Sequence, residues 1–186
     1  MIINTFQQDL EEAVAFHGHL CTGQIIGVLT ARLALKTLGI TDPKSFRDLI
    51  VYVECDRCIT DAIGTVTGCK LGHRNLKWMD YGKVAASFLN LKTGEAIRVS
   101  NKMRIHPPDD VDLVEFISSI PEDEIFSVTR VKIHYHPEDL PGKPLDAMMC
   151  PKCVEEVIDG RQVVRDGIAI CKACADGAYY EFEAAE

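Results

Sequence analysis

The chain has 186 residues, 47% of them hydrophobic, and a formal net charge of -8. That length and composition suit one well-formed core with a small appended module, and they argue against disorder. The acidic balance excludes phosphate-backbone binding driven by charge alone, so no nucleic-acid partner is expected. No run reaches the roughly 18 apolar residues that would make a membrane span. Met1-Ile2-Ile3-Asn4 has neither the basic nor the long apolar stretch of a secretory leader, so a cytoplasmic location is expected. In a reducing compartment the eight cysteines read as metal ligands or reactive thiols before disulfides.

Asn4-Thr5-Phe6-Gln7 predicts a helix start, with Asn4 as the cap and Gln7 at the capping-box position. Leu10, Val14 and His17 follow at helical spacing, and Gly18 ends or bends the helix. Thr22 to Leu38 predicts the most buried helix, stopped by Gly39. Gly23 and Gly27 lie one turn apart in it, which points to close approach by another helix or by a second protomer. Asp42-Pro43-Lys44 starts a turn or short helix. Leu49 to Glu54 predicts a strand, rich in Ile, Val and Tyr. Thr60 to Val66 predicts a helix beyond it, so Cys55 and Cys58 sit where a strand end meets a helix start.

Gly68 to His73 is glycine-rich and irregular and lacks a P-loop pattern. Asn75 to Tyr81 reads as a connector. Val84 to Leu91 and Glu95 to Ser100 predict two strands around a Lys92-Thr93-Gly94 hairpin. After Pro107-Pro108, Asp109, Asp110 and Asp112 favour a helix start, and Pro121 ends that helix. Ile125 to His134 predicts another strand. The prolines at 137, 141 and 144, with Gly142, mark a linker, and the domain boundary is set near Asp146. The result is an α+β chain: a mixed β-sheet core packed with helices (1-145), followed by a small cysteine-bearing domain (146-186).

The small domain carries the stronger local motif. Cys150-x-x-Cys153 and Cys171-x-x-Cys174 are separated by 17 residues, a spacing suited to a structural Zn2+ held by four thiolates. Two matched pairs favour a metal over a redox dithiol. Residues 146-186 hold nine Asp and Glu against four Lys and Arg, which is unlike a nucleic-acid finger. Tyr179, Tyr180 and Phe182 are expected to cover this module or to dock it against a neighbour.

The first domain gathers a less regular set. His17, His19 and Cys21 flank a turn, Cys58 and Asp61 are three apart on a predicted helix, and Cys69 arrives from the next loop. Together they can hold a second transition metal with an open position, or a thiol activated by a neighbouring imidazole. The candidate metal ligands are His17, His19, Cys21, Cys58 and Cys69; the candidate catalytic groups are Cys21, Cys58 and Asp61. Cys55 reads as a packing residue. Glu54, Asp56 and Asp61 are acid-base candidates, or groups that orient a ligating histidine. His73, His106, His134 and His136 read as loop or linker residues. Lys70, Arg74 and Lys77 form a modest basic cluster near the expected mouth.

The string His17-Gly18-His19-Leu20-Cys21-Thr22-Gly23, with Glu54, Cys58-x-x-Asp61-Ala62-Ile63 and Thr67-Gly68-Cys69, resembles the E-subunit family of formylmethanofuran dehydrogenase over most of residues 10-145. The four-cysteine segment is similar to the zinc-ribbon extension found in members of that family. The resemblance implies an α/β or α+β core, a homodimer, and association with a molybdenum or tungsten oxidoreductase complex. It does not imply the large catalytic component, because the chain is too short for that cofactor set. The leading expectation is a metal-binding accessory or redox-related protein. The alternatives are a metal-dependent hydrolase or transferase acting on a small carbonyl compound, and a zinc-containing protein-protein adaptor.

Overall fold

The computed structural model describes residues 3-183. The chain divides into two compact units, the first ending at His134 and the second beginning at Tyr135.

Helix α1 spans Phe6-His17. Its cap is Thr5, whose hydroxyl accepts from the Gln8 amide at 3.2 Å while the Gln8 side chain accepts from the Thr5 amide at 2.8 Å. The capping box therefore sits one residue beyond the Asn4/Gln7 pairing read from sequence. Asn4 turns to Asp9 instead, at 3.1 Å, and the buried Asp9 carboxylate is paired with Arg32. Gly18 takes a left-handed conformation (φ 97°) and closes the helix on the Val14 carbonyl, leaving His17 in the last turn and His19 just outside it. This is the αL ending that glycine tolerates best.

Helix α2 spans Thr22-Thr37 and α3 spans Cys58-Thr67. They pack at the two glycines singled out from sequence. A methyl group on Gly27 would lie 2.6 Å from the Ala62 Cβ and 2.8 Å from the Ile59 carbonyl oxygen; one on Gly23 would lie 2.8 Å from the Cys58 Cβ. The close neighbour is thus a helix of the same chain. Gln24, fully buried, ties the pair by donating to the Cys58 carbonyl at 2.7 Å.

Five strands form the sheet: β1 Leu49-Val53, β2 Leu76-Trp78, β3 Ala85-Asn90, β4 Ala96-Asn101 and β5 Phe126-Arg130, in the order β2-β1-β3-β4-β5. Strands β1 and β2 are parallel and joined through α3; the other neighbours are antiparallel. Val51 pairs with Leu76 on one side and Phe88 on the other. The β3-β4 turn falls on the predicted Lys92-Thr93-Gly94, with Gly94 at φ 75° and the Asn90 side chain accepting from the Lys92 and Thr93 amides. Strand β2 replaces the connector expected at Asn75-Tyr81: three residues are too few for an alternating pattern to show. Helix α4, Leu113-Ser118, starts on Asp112 as expected, and Pro121 opens a further short helix, α5, Glu122-Ile125. Strand β5 is shorter than the span from Ile125 to His134. Leu35, Leu49, Ile63, Phe88 and Ile117 are among the fully buried side chains of the core. The mixed α+β class read from sequence is the one observed.

The second unit contains two antiparallel ribbons, β6 Ala147-Met149 with β7 Glu156-Ile158 and β8 Val163-Arg165 with β9 Ile168-Ile170, followed by α6, Lys172-Asp176. The first cysteine pair lies in the β6-β7 turn and the second at the β9-α6 junction.

Overfilling the α2-α3 contact is costly, because helix backbones cannot yield as a flexible side chain can. Gly27→Ala is expected to destabilise the chain by about 1-3 kcal/mol in chemical denaturation. Gly72→Ala is the control, since a methyl there meets nothing within 4 Å, and it should stay close to the parent.

Candidate metal centres

The end of α1 delivers His17 to the first turns of α2 and α3. Its Nδ1-H donates to the Asp61 Oδ2 at 2.8 Å, and its side chain is only 14% exposed. With Nδ1 committed to a carboxylate, the lone pair resides on Nε2. That atom is buried and has no hydrogen-bond partner among the described residues. An orphaned buried nitrogen is costly unless something engages it. Beside it stand the His19 ring, whose centroid is 4.7 Å from that of His17, and Cys21, the residue preceding α2. One ligand atom from each of His17, His19 and Cys21 lies within 4.8 Å of the others.

Cys58 opens α3 next to this set. Glycine at 23 makes room for the two sulfurs: its missing Cβ would lie 3.7 Å from the Cys21 Sγ as well as against Cys58. Burial, and then a hydrogen bond with the Cys21 thiol, push the Cys58 thiol above its ordinary value. His17, His19, Cys21, Cys58 and Asp61 thus lie at or beside three helix ends. The donor set of two imidazoles and neighbouring thiols matches the preferences of a transition metal. The Asp61-His17 pair has the carboxylate-histidine arrangement that orients a ligating imidazole.

Cys69 does not join them. It is buried in the core, with its thiol directed at the Leu49 carbonyl at 3.8 Å, and burial pushes it up to about 11. Its expected ligand role is corrected to a packing one, because the turn after α3 points it into the sheet rather than back to the helix start. Cys55 is a core residue, as read from sequence. Glu54 is withdrawn from the acid-base candidates: both carboxylate oxygens accept from Arg98 at 2.7 Å, and the carboxylate is buried. Asp56, His73, His106, His134 and His136 are exposed and outside the cluster. Lys70, Arg74 and Lys77 do not line the open cleft of about 730 Å³ that Cys58 borders. Its basic residues come instead from the cap position before α3, from β4 and from the segments that follow Tyr81 and Asn101, and no sequence motif links them.

In the second unit the four sulfurs of Cys150, Cys153, Cys171 and Cys174 lie within 4.8 Å of one another, with Cys153 and Cys171 3.8 Å apart. The Cys171 amide donates to the Cys150 sulfur at 3.4 Å, and the Cys174 amide to the Cys171 sulfur at 3.3 Å. Backbone amides, those of Cys171 and Cys153 foremost, lower Cys150 to about 6. All eight cysteines are free. Tyr179 and Phe182 are 99% and 89% exposed and stack edgewise about Tyr180, so these two do not cover the module, the first of the two roles expected of them. Among the described residues, no helix is long and apolar enough to cross a membrane.

A family model described as "FmdE, Molybdenum formylmethanofuran dehydrogenase operon" matches residues 16-127, a span that begins just before His17 and runs through the whole first cluster. The chain belongs to the FmdE family. A solved FmdE-like protein of the tungsten formylmethanofuran dehydrogenase type, from Syntrophus aciditrophicus, has the same fold. It superposes with a TM-score of 0.61 at 24% identity, covering 96% of each chain. A curated relative from Archaeoglobus fulgidus, named probable S-adenosyl-L-methionine-binding protein, is 29% identical over 204 aligned positions. These cover 92% of this chain and 53% of the relative, so the chain spans about half its length.

The buried Cys69 of the first unit and the exposed Cys153 of the second should separate by alkylation. A thiol raised to about 11 is ionised in about one molecule per thousand at pH 8, and only the thiolate reacts readily. In the native chain Cys69 should stay unmodified by iodoacetamide while the exposed Cys153 is labelled in metal-stripped protein, and both should react in urea. Equal native labelling of the two, read by peptide mass spectrometry, would contradict this placement.

Proposed function

We propose that this FmdE-family chain binds two metal ions with different tasks. The first is a functional centre on His17, His19 and Cys21, bordered by Cys58; the second is a structural Zn2+ on Cys150, Cys153, Cys171 and Cys174. The observation that carries the first half is the buried, unpartnered Nε2 of His17, a residue oriented by Asp61 and clustered with the donors of His19 and Cys21. The second half is supported by four converging sulfurs, two of which, Cys150 and Cys171, already accept from backbone amides, a set that suits zinc.

A transition ion held there would supply Lewis acidity toward a small carbonyl compound. The chain's own residues supply the rest. Asp61 keeps His17 in one tautomer and orientation, so it is a positioning residue. Cys21 and Cys58 supply soft donors, and Cys58 lines the cleft itself. The reading therefore joins a metal-binding, redox-related accessory role to the alternative of a hydrolase or transferase. Assignment of residues 1-145 to the family core and 146-186 to a zinc-ribbon module belongs to the same proposal. So do a cytoplasmic homodimer and association with a molybdenum or tungsten oxidoreductase complex; the family match supports that partner class. A docking role for the second unit is the alternative its exposed Tyr179, Phe182, Val154 and Val164 would serve.

Metal counting after anaerobic loading and dialysis tests the proposal. The intact chain should hold two ions. His17→Ala and Cys150→Ser should each hold one, each losing a different ion. Two ions retained by His17→Ala would overturn the first centre. Asp61→Asn should keep the stoichiometry but weaken the first ion by about 10-100-fold in a chelator competition, leaving the four-cysteine ion unchanged.

A further inference from the structure

The cleft beside Cys58 has a charge opposite to that of the protein. Its lining includes Arg57, Lys83, Arg98, Lys102 and Arg104, and no Asp or Glu, in a chain of net charge -8. Arg98 is neutralised by its two bonds to Glu54. The other four form no ion pair among the described residues. Lys102 donates to the Asp123 carbonyl at 2.7 Å and Lys83 lies 5.8 Å from the Tyr81 ring centroid; neither contact removes a charge. Four exposed cations without an ion-pair partner around one concavity focus a positive potential there, which raises the local concentration of an anion.

The helix ends add to this field. Thr22 and Gly23 of α2, and Cys58 and Ile59 of α3, also line the cleft. Neither helix has a side-chain hydrogen bond at its cap. First-turn amides have no intrahelical acceptor, and a helix start carries partial positive charge. Two such ends and four cations on one cavity make a receptor for an oxyanion. Its volume, about 730 Å³, matches a small molecule. The chain's overall negative charge disfavours a polyanion reaching across the surface.

We infer that the cleft binds a small molecule through a carboxylate or phosphate group, held by Arg57, Lys83, Lys102 and Arg104 at the starts of α2 and α3, with the remainder of the ligand presented to Cys58. This deepens the metal reading by naming its substrate class, and it rests on that reading only for what happens at the Cys58 end. Asn101 stands in the same wall, and its carboxamide oxygen has no hydrogen-bond partner among the described residues. It is placed to accept from a donor elsewhere on the ligand.

The test is an NMR titration of the full ¹⁵N-labelled chain, with the first centre metal-loaded and metal-stripped. Inorganic phosphate and malonate are the two anionic probes, and malonamide is the neutral control. One or both anions should shift the amides of Thr22, Gly23, Cys58 and Ile59 saturably in both metal states, and whichever binds tighter names the ligand group. Malonamide should not. Arg57→Gln with Arg104→Gln should weaken the binding at least tenfold while the ion count stays at that of the parent. Lys83→Gln alone should weaken it by a smaller factor and stands in if the double variant is misfolded. Cleft amides unmoved by either anion, or equal affinity in the folded variant, would overturn the inference. So would binding seen only in the metal-loaded chain and unaffected by the arginine changes, since the anion would then be ligating the ion. Anion binding that persists while His17→Ala retains both ions removes the metal reading and leaves this one standing.

Discussion

The close contact of α2 with α3 is the constraint from which the first unit's site follows. Gly23 and Gly27 let one helix backbone meet the other at a distance no larger residue permits. Each glycine costs a helix about 0.8-1.0 kcal/mol relative to alanine. The return is positional: Cys21, just before α2, and Cys58, the first residue of α3, become neighbours. Gln24 holds the same junction from within by its bond to the Cys58 carbonyl. Asp61, one turn into α3, then reaches the last residue of α1, and His17 acquires a fixed orientation.

The sheet determines where this junction stands. Because β1 and β2 run parallel, the chain must cross over between them, and α3 is that crossover. The start of α3 is therefore delivered to the end of β1, the place where α/β connections open a crevice. Glu54, at the exit of β1, is locked to Arg98 on β4. That pair spans β3, and it stabilises the strand end that presents Cys58. The second unit solves a different problem. Its strands are three residues long and mostly exposed, so little apolar burial is available, and four converging thiols can supply the missing cohesion.

Much of this was readable in the sequence because its signals are local. The α1 and α2 spans, the glycine stop at Gly18, the β3-β4 hairpin and the two Cys-x-x-Cys pairs follow from spacing within a few residues. Gly23 and Gly27 announced a close approach, though not its partner, since a helix of the same chain and a second protomer leave the same mark. Asp61 was readable as a group able to orient a histidine; that the histidine is His17 depends on the fold. Other features depend on tertiary placement alone. Cys69 has the same sequence surroundings whether its side chain turns to the site or to Leu49. Strand β2 exists because β1 offers it an edge. The cleft cations come from the cap position before α3, from β4 and from two separate segments, none with a distinguishing neighbour pattern. The capping register shifted by one residue because Asn4 and Thr5 are both competent caps, and the Asp9 contact engages Asn4.

Zinc-edge X-ray absorption of the full chain, loaded with two equivalents of zinc and compared with His17→Ala, tests the central claim most directly. The account predicts that the intact chain shows both sulfur and imidazole-nitrogen scattering. His17→Ala should retain one ion, with a sulfur-only shell. A sulfur-only shell in the intact chain, or undiminished imidazole scattering in the variant, would contradict a metal centre built on His17.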